Sequence, residues 1–350
     1  MKLAGITIVL TLQITVWLHE SATAHGHDEL LLPHKGSDII VYVNDAGRRQ
    51  KVSGSIEDIR GDRLVFRPNG SGPVQRIDMA RLAQLVFRRG VDWDAALALM
   101  KEGDDETALE RITKEIESET RPWAWAEAMA LAARLEIQLG RRDRAVSRIE
   151  LIRSQDTRTR HMGLAPFVWD ESLPQHERLQ LPLIRLTSRS PLIRVAAASA
   201  WLHDPANRPG AVHALQEVAA AEGASLIGRL ARAQLWRLHL LENPGQENPV
   251  LDIWRESVED LPPGARGGPQ FVLARNLESV HDYDRAALSY LWTPTMTPWD
   301  PALSANSMRR AIICLKKAGR HAEASQMASE LKQTYPKTSA ARHQPDSVAE

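Results

Sequence analysis

Gly103-Asp104-Asp105-Glu106-Thr107-Ala108 recurs in form 37 residues later as Gly140-Arg141-Arg142-Asp143-Arg144-Ala145. His281-Asp282-Tyr283-Asp284-Arg285-Ala286 and Gly319-Arg320-His321-Ala322-Glu323-Ala324 repeat that form again, 38 residues apart. Each stretch separates two segments whose apolar residues recur at helical spacing. The glycine sits where a helix ends on a left-handed residue. The alanine falls on the second helix, where two closely crossing helices leave no room for a larger side chain. Between these stretches, Ala211 follows Pro209-Gly210 and lies 66 residues from Ala145 and 75 from Ala286, near two periods each. A period of about 34–38 residues is that of two-helix solenoid repeats.

The helical pattern runs from residue 91 to residue 336. Trp93, Ala96, Leu97 and Met100 mark a first helix; Ala108, Leu109, Ile112 and Ile116 mark a second. Pro122 opens a third, which runs to Leu139 and stops at Gly140. Breaks fall near 155–172, 204–209, 243–249, 262–268 and 293–301. At the far end, Ala311-Ile312-Ile313-Cys314-Leu315, the Gly319 turn, Ala324, Leu331 and Tyr335-Pro336 form a helix, a glycine turn, a small residue and an aromatic-Pro exit. This resembles the tetratricopeptide family, best at this end, less well from Trp93 to Ile116, and least from about 160 to 280. The resemblance implies a right-handed α-solenoid that holds a protein or peptide on its surface. Ala198-Ser199-Ala200-Trp201-Leu202 and Ala233-Gln234-Leu235-Trp236-Arg237 also resemble segments of exported proteins of planctomycete-type bacteria, which implies architecture and no activity.

Residues 38–90 differ in kind. Asp38-Ile39-Ile40-Val41-Tyr42-Val43, the run around Val52 to Ile59, Leu64-Val65-Phe66, Val74 to Ile77 and Leu85-Val86-Phe87 are β-rich and separated by Asn/Asp/Gly/Pro turns. Five short strands with Gly54 inside one of them resemble a small Sm-like or SH3-like barrel. The expected fold is therefore mainly α, α+β overall: a five-stranded barrel followed by a helical array.

The ends read as processing and tail segments. Lys2, the apolar run Leu3–Leu18 and Ala22-Thr23-Ala24 predict a signal peptide over 1–24. Its apolar run of 16 residues is shorter than the roughly 20 of a membrane span. Residues 25–37 read as a flexible leader and 337–350 as a disordered tail. The expected setting is the periplasm or cell envelope, with no membrane span left after cleavage.

Composition narrows the chemistry. The 44 bases balance 44 acids, so no net field draws the chain to nucleic acid, and export argues the same way. One cysteine, Cys314, excludes an internal disulfide, and its apolar neighbours predict a buried small hydrophobe. There is no Gly-x-Ser-x-Gly, no Walker loop and no dinucleotide fingerprint. Cleavage after Ala24 would expose His25-Gly26-His27, whose amine, amides and imidazole suit square-planar Cu(II) or Ni(II). Trp123 and Trp125 stand two apart on one helix, so they cannot both face inward. With Arg141 they are the candidate partner-binding residues. The sequence thus predicts a non-enzymatic exported scaffold for a protein or peptide partner, with no cofactor. The alternative is an exported enzyme with two carboxylates in a helical groove, or a copper protein built on His25 and His27.

Overall fold

The computed structural model describes residues 37–343, apart from Ser71, Pro244 and Glu247. The signal, the leader with His25 and His27, and residues 344–350 lie outside the described residues. β1 (Asp38–Val43), β2 (Arg49–Arg60), β3 (Arg63–Pro68), β4 (Gln75–Asp78) and β5 (Leu82–Val86) form one antiparallel sheet in the order β4-β3-β2-β1-β5. The long β2 is shared. Its first half pairs with β1 up to Asp38↔Gly54, and its second half pairs with β3 from Gly54↔Pro68 onward. Gly54 is where the two ladders meet, and a Cβ there would lie 2.0 Å from the Arg67 carbonyl oxygen. The irregularity in the β2–β3 ladder falls between Ile56 and Asp58, and the barrel is not closed. The edge strands β4 and β5 form no ladder with each other, because a single 3-10 turn, Met79–Arg81, carries the chain between them. Helices complete the enclosure instead: Ile40, Leu64, Phe66 and Ile77 share one apolar cluster with Trp93, Ile112 and Trp123. Phe87 meets Trp93 and Trp123 edge to face, at 5.3 and 5.0 Å between ring centres.

Six helix pairs follow among the described residues: α1 (Val91–Glu102) with α2 (Asp105–Ser118), α3 (Pro122–Gln138) with α4 (Arg142–Gln155), α5 (Pro191–Trp201) with α6 (Arg208–Ala221), α7 (Leu226–Glu242) with α8 (Leu251–Glu259), α9 (Gly267–Ser279) with α10 (Tyr283–Met296), and α11 (Pro301–Lys317) with α12 (His321–Thr334). Five are close-packed hairpins, while α7 and α8 meet through the stacked rings of Trp236 and Trp254, 5.0 Å between centres. Ala108, Ala145, Ala211, Ala286 and Ala324 all lie on second helices, and all are 0 % exposed. The repeated turn has one geometry. Asp104, Arg141, Asp282 and Arg320 donate their backbone N–H to the carbonyl five residues back, at 2.7–3.0 Å. The preceding residue is left-handed each time: Gly103, Gly140 and Gly319 at φ 75–80°, and His281 at φ 65°.

The two double-length gaps in the alanine spacing have different causes. Between α4 and α5, residues 156–190 form no hairpin. One period's worth of chain is laid down as irregular structure with short 3-10 turns. Between Ala211 and Ala286 there is a looser helix pair, whose second helix, α8, has 9 residues where every other second helix has 14 and packs on α9 instead of along α7. The array also curls on itself. Arg142, which opens α4, forms a bidentate ion pair with Asp300, the N-cap of α11, at 2.7 and 2.5 Å, with both residues buried. Residues 337–343, expected as tail, are folded: Thr338 caps a short helix α13 (Ser339–Arg342), whose Ala340 and Ala341 are buried. Ser339 donates its backbone N–H to Glu177 of the irregular segment at 2.8 Å.

Candidate functional site

The irregular segment fills the inside of the curve. From His161 to Asp170 every residue but Gly163 is buried. It meets the first helix of five successive pairs. His161 contacts Glu127 of α3 at 2.9 Å. The Val168 N–H donates to Ser199 Oγ of α5 at 3.0 Å, and its carbonyl accepts from Arg237 of α7 at 2.7 Å. The Trp169 indole lies against α9 at Gly268, where a Cβ would come within 2.0 Å of the ring. Asp170 accepts from Asn306 of α11 and from Arg275 of α9. Side chains of the array thus satisfy the Val168 backbone, and one slot takes the Trp169 indole.

Charge is balanced within this seam. Arg275 bridges Asp170 at 3.3 Å and Glu171 at 3.1 Å, Arg237 reaches Glu171 at 3.4 Å, and Arg310 joins Asp170 to Glu278. Burial works against a charge on Glu171, but Arg275 and Arg237 outweigh it and hold the carboxyl down at about 2. Burial likewise opposes ionisation of Glu127, and Arg160 with His161 holds it well below the ordinary carboxylate range. A general acid needs its proton near neutral pH, and these two groups are set the opposite way. Burial pushes the Cys314 thiol up to about 12, so it is a packed hydrophobe in the position expected of it. No group of three potential metal ligands occurs among the described residues.

The residues singled out in the sequence are dispersed. Trp123 is 3 % exposed and packs between the sheet and α1–α3. Its face carries the Arg121 guanidinium, 5.0 Å from the ring centre. Trp125, two residues on, turns the other way and is half-buried against the array core. Arg141 pairs with Glu106 of the preceding hairpin at 2.6 Å. These three do not form one surface. The array's own contact residues, Arg237, Arg275 and Arg310, escaped sequence reasoning because each sits among many helical arginines. The one signal was Phe167-Val168-Trp169-Asp170-Glu171, an aromatic-acidic run within a stretch lacking helical period.

The outer face carries a second feature. A groove lies between the short α8 and α10, over the buried helix α9, whose Leu273 and Leu277 are 3 % and 6 % exposed. Leu251, Val258, Leu273, Leu277, Trp292 and Met296 line this groove of about 400 Å³. Trp292 is 44 % exposed, the most exposed tryptophan among the described residues, and Ile253 on α8 is 60 % exposed. No helix among the described residues is long and apolar enough to cross a membrane. No protein-family model matches the chain, and no curated protein matches its sequence.

Proposed function

We propose that the protein is a non-enzymatic exported scaffold or adaptor, and that it takes its partner on the outer face of the array, in the groove between α8 and α10. The observation that carries this reading is the short α8. Five residues fewer than its counterparts removes about 7–8 Å of helix at 1.5 Å per residue, and a groove lined by the exposed Trp292 stays open. The partner that fits is an amphipathic helical segment of another protein, laid along the groove with its apolar face against Trp292 and Met296. The inner face does not serve this role. Burying Met162, Leu164, Phe167, Val168 and Trp169 stabilises the internal segment by on the order of 10 kcal/mol as an upper figure, more than a micromolar ligand would recover.

A photo-crosslinking residue in place of Trp292, introduced in the producing cell, tests the proposal. The expected result is one protein adduct, mapped to an apolar helical face of that protein. With the purified pair, Trp292→Ala should weaken binding about 30-fold, the loss of one interface hot spot. No adduct above background, or an adduct only with a second copy of this chain, would overturn the reading.

A further inference from the structure

A second cavity lies on the other side of the internal segment. Residues 175–182 and the end of α5 line an open pocket of about 460 Å³, a volume in the range of small-molecule sites. Leu179, Leu181, Pro182 and the Trp201 indole form apolar walls, and Arg178 and His203 stand among them. Trp201 is fixed in place, since its Nε1–H donates to the Leu181 carbonyl at 2.8 Å. Residues 175–182 are anchored by Glu177, which accepts from the Ser339 N–H at 2.8 Å.

The charges of this cavity do not balance. No carboxylate lines it. Arg178 donates through Nη1 to the Glu171 carbonyl at 3.1 Å and to His203 Nε2 at 3.4 Å. Its other edge, Nε and Nη2, makes no hydrogen bond or ion pair among the described residues. The fully buried arginines of the array have their acids: Arg142 has Asp300, and Arg237 has Glu171. An arginine always donates, so His203 accepts at Nε2 and its ring is neutral. A half-buried guanidinium with an open planar edge beside an indole wall is built for a carboxylate, which it can grip with two parallel hydrogen bonds.

We propose that this cavity binds a monocarboxylate with an apolar body, the carboxylate on the Nε–Nη2 edge of Arg178 and the body against Trp201 and Leu181. The chemistry is shared by a free organic acid and by a peptide C-terminus with an apolar last residue. The site is separate from the outer groove and stands whether or not that groove holds a partner. His203 reports on occupancy. Burial lowers its pKa first, and the positive charges of Arg178 and Arg237 lower it further, while Glu171 opposes them. Asp204 and Arg208 flank it, Arg208 donating to the His203 carbonyl at 3.4 Å. A carboxylate placed on Arg178 offsets that positive charge, so the His203 pKa rises on binding, and affinity increases as pH falls through the bound-state value.

Calorimetric titration of the purified protein with 3-phenylpropionate and with its uncharged amide tests the site, beside a histidine NMR titration. The expected result is binding of the acid at least about tenfold tighter than the amide, lost to the same degree in Arg178→Gln, with an upward shift of the His203 midpoint. Trp201→Phe, which keeps an aromatic wall, should retain the preference for the acid; unchanged thermal unfolding of Arg178→Gln confirms that the fold is intact. A short peptide ending in free phenylalanine, compared with its amidated form, separates the two sources: tighter binding than phenylpropionate assigns the site to chain ends, weaker binding to free acids. Equal binding of acid and amide, no binding of the acid or of the free-carboxylate peptide at millimolar concentration, or a His203 midpoint that does not move would overturn the proposal.

Discussion

His281 is the one non-glycine residue among the described residues with a positive φ, 65°. It occupies the position that Gly103, Gly140 and Gly319 hold in the other three turns of this form. A side chain there costs about 1–2 kcal/mol through contact of Cβ with the backbone. Glycine removes that cost but gives back part of it by loosening the unfolded chain, by about 0.4–1 kcal/mol. The His281 ring also meets Tyr283 edge to face at 5.5 Å, a contact the substitution loses. His281→Gly should therefore stabilise the protein by about 0.5 kcal/mol and raise Tm by roughly 1–2 °C, measured by calorimetry. His281→Ala, which keeps a Cβ in the same conformation, should give no gain. If alanine and glycine behave alike, left-handed strain is not what separates this turn from its glycine counterparts.

At the scale of elements, the helices were legible because their signals are local. Gly103, Gly140 and Gly319 mark their ends, and alanines at a fixed offset mark their crossings. The strands of residues 38–87 were legible for the same reason. Closure of the sheet was not, because it depends on whether β4 and β5 meet or whether Trp93 and Trp123 cover the gap, and those rings come from another part of the chain. The internal segment was hidden for a related reason. Asp170 finds its partners at Arg275 and Asn306, more than 100 residues away, and no local pattern carries that distance. The expected break near 155–172 was the visible edge of a longer irregular stretch. Chymotrypsin distinguishes a held segment from an ordinary loop. Leu183 is 43 % exposed, whereas Phe167 is 4 % and Trp169 is 6 % exposed. Limited digestion should cut beside Leu183 and spare Phe167 and Trp169 until the protein unfolds, as mass spectrometry of the fragments would record. Cleavage after Phe167 at the same rate would show that the array does not hold the segment.

For the whole molecule, the contact that matters most is Arg142 with Asp300, which joins the second helix pair to the sixth. Arg142→Ala leaves Asp300 buried without its cation, a loss of about 3–5 kcal/mol. The effect should appear as a lower denaturant midpoint. Arg60, 80 % exposed in its pair with Asp58, is the contrast: Arg60→Ala should change stability by less than about 1 kcal/mol. Similar losses from both variants would mean that the Arg142 pair is solvated and that the array is not fastened there. An open coil of hairpins tolerates a gain or loss of one unit, since each contacts only its neighbours. Here the second pair touches the sixth, so the number of units is arithmetic: deleting one hairpin between Arg142 and Asp300 would strand both charges, and duplicating one would leave them unable to touch.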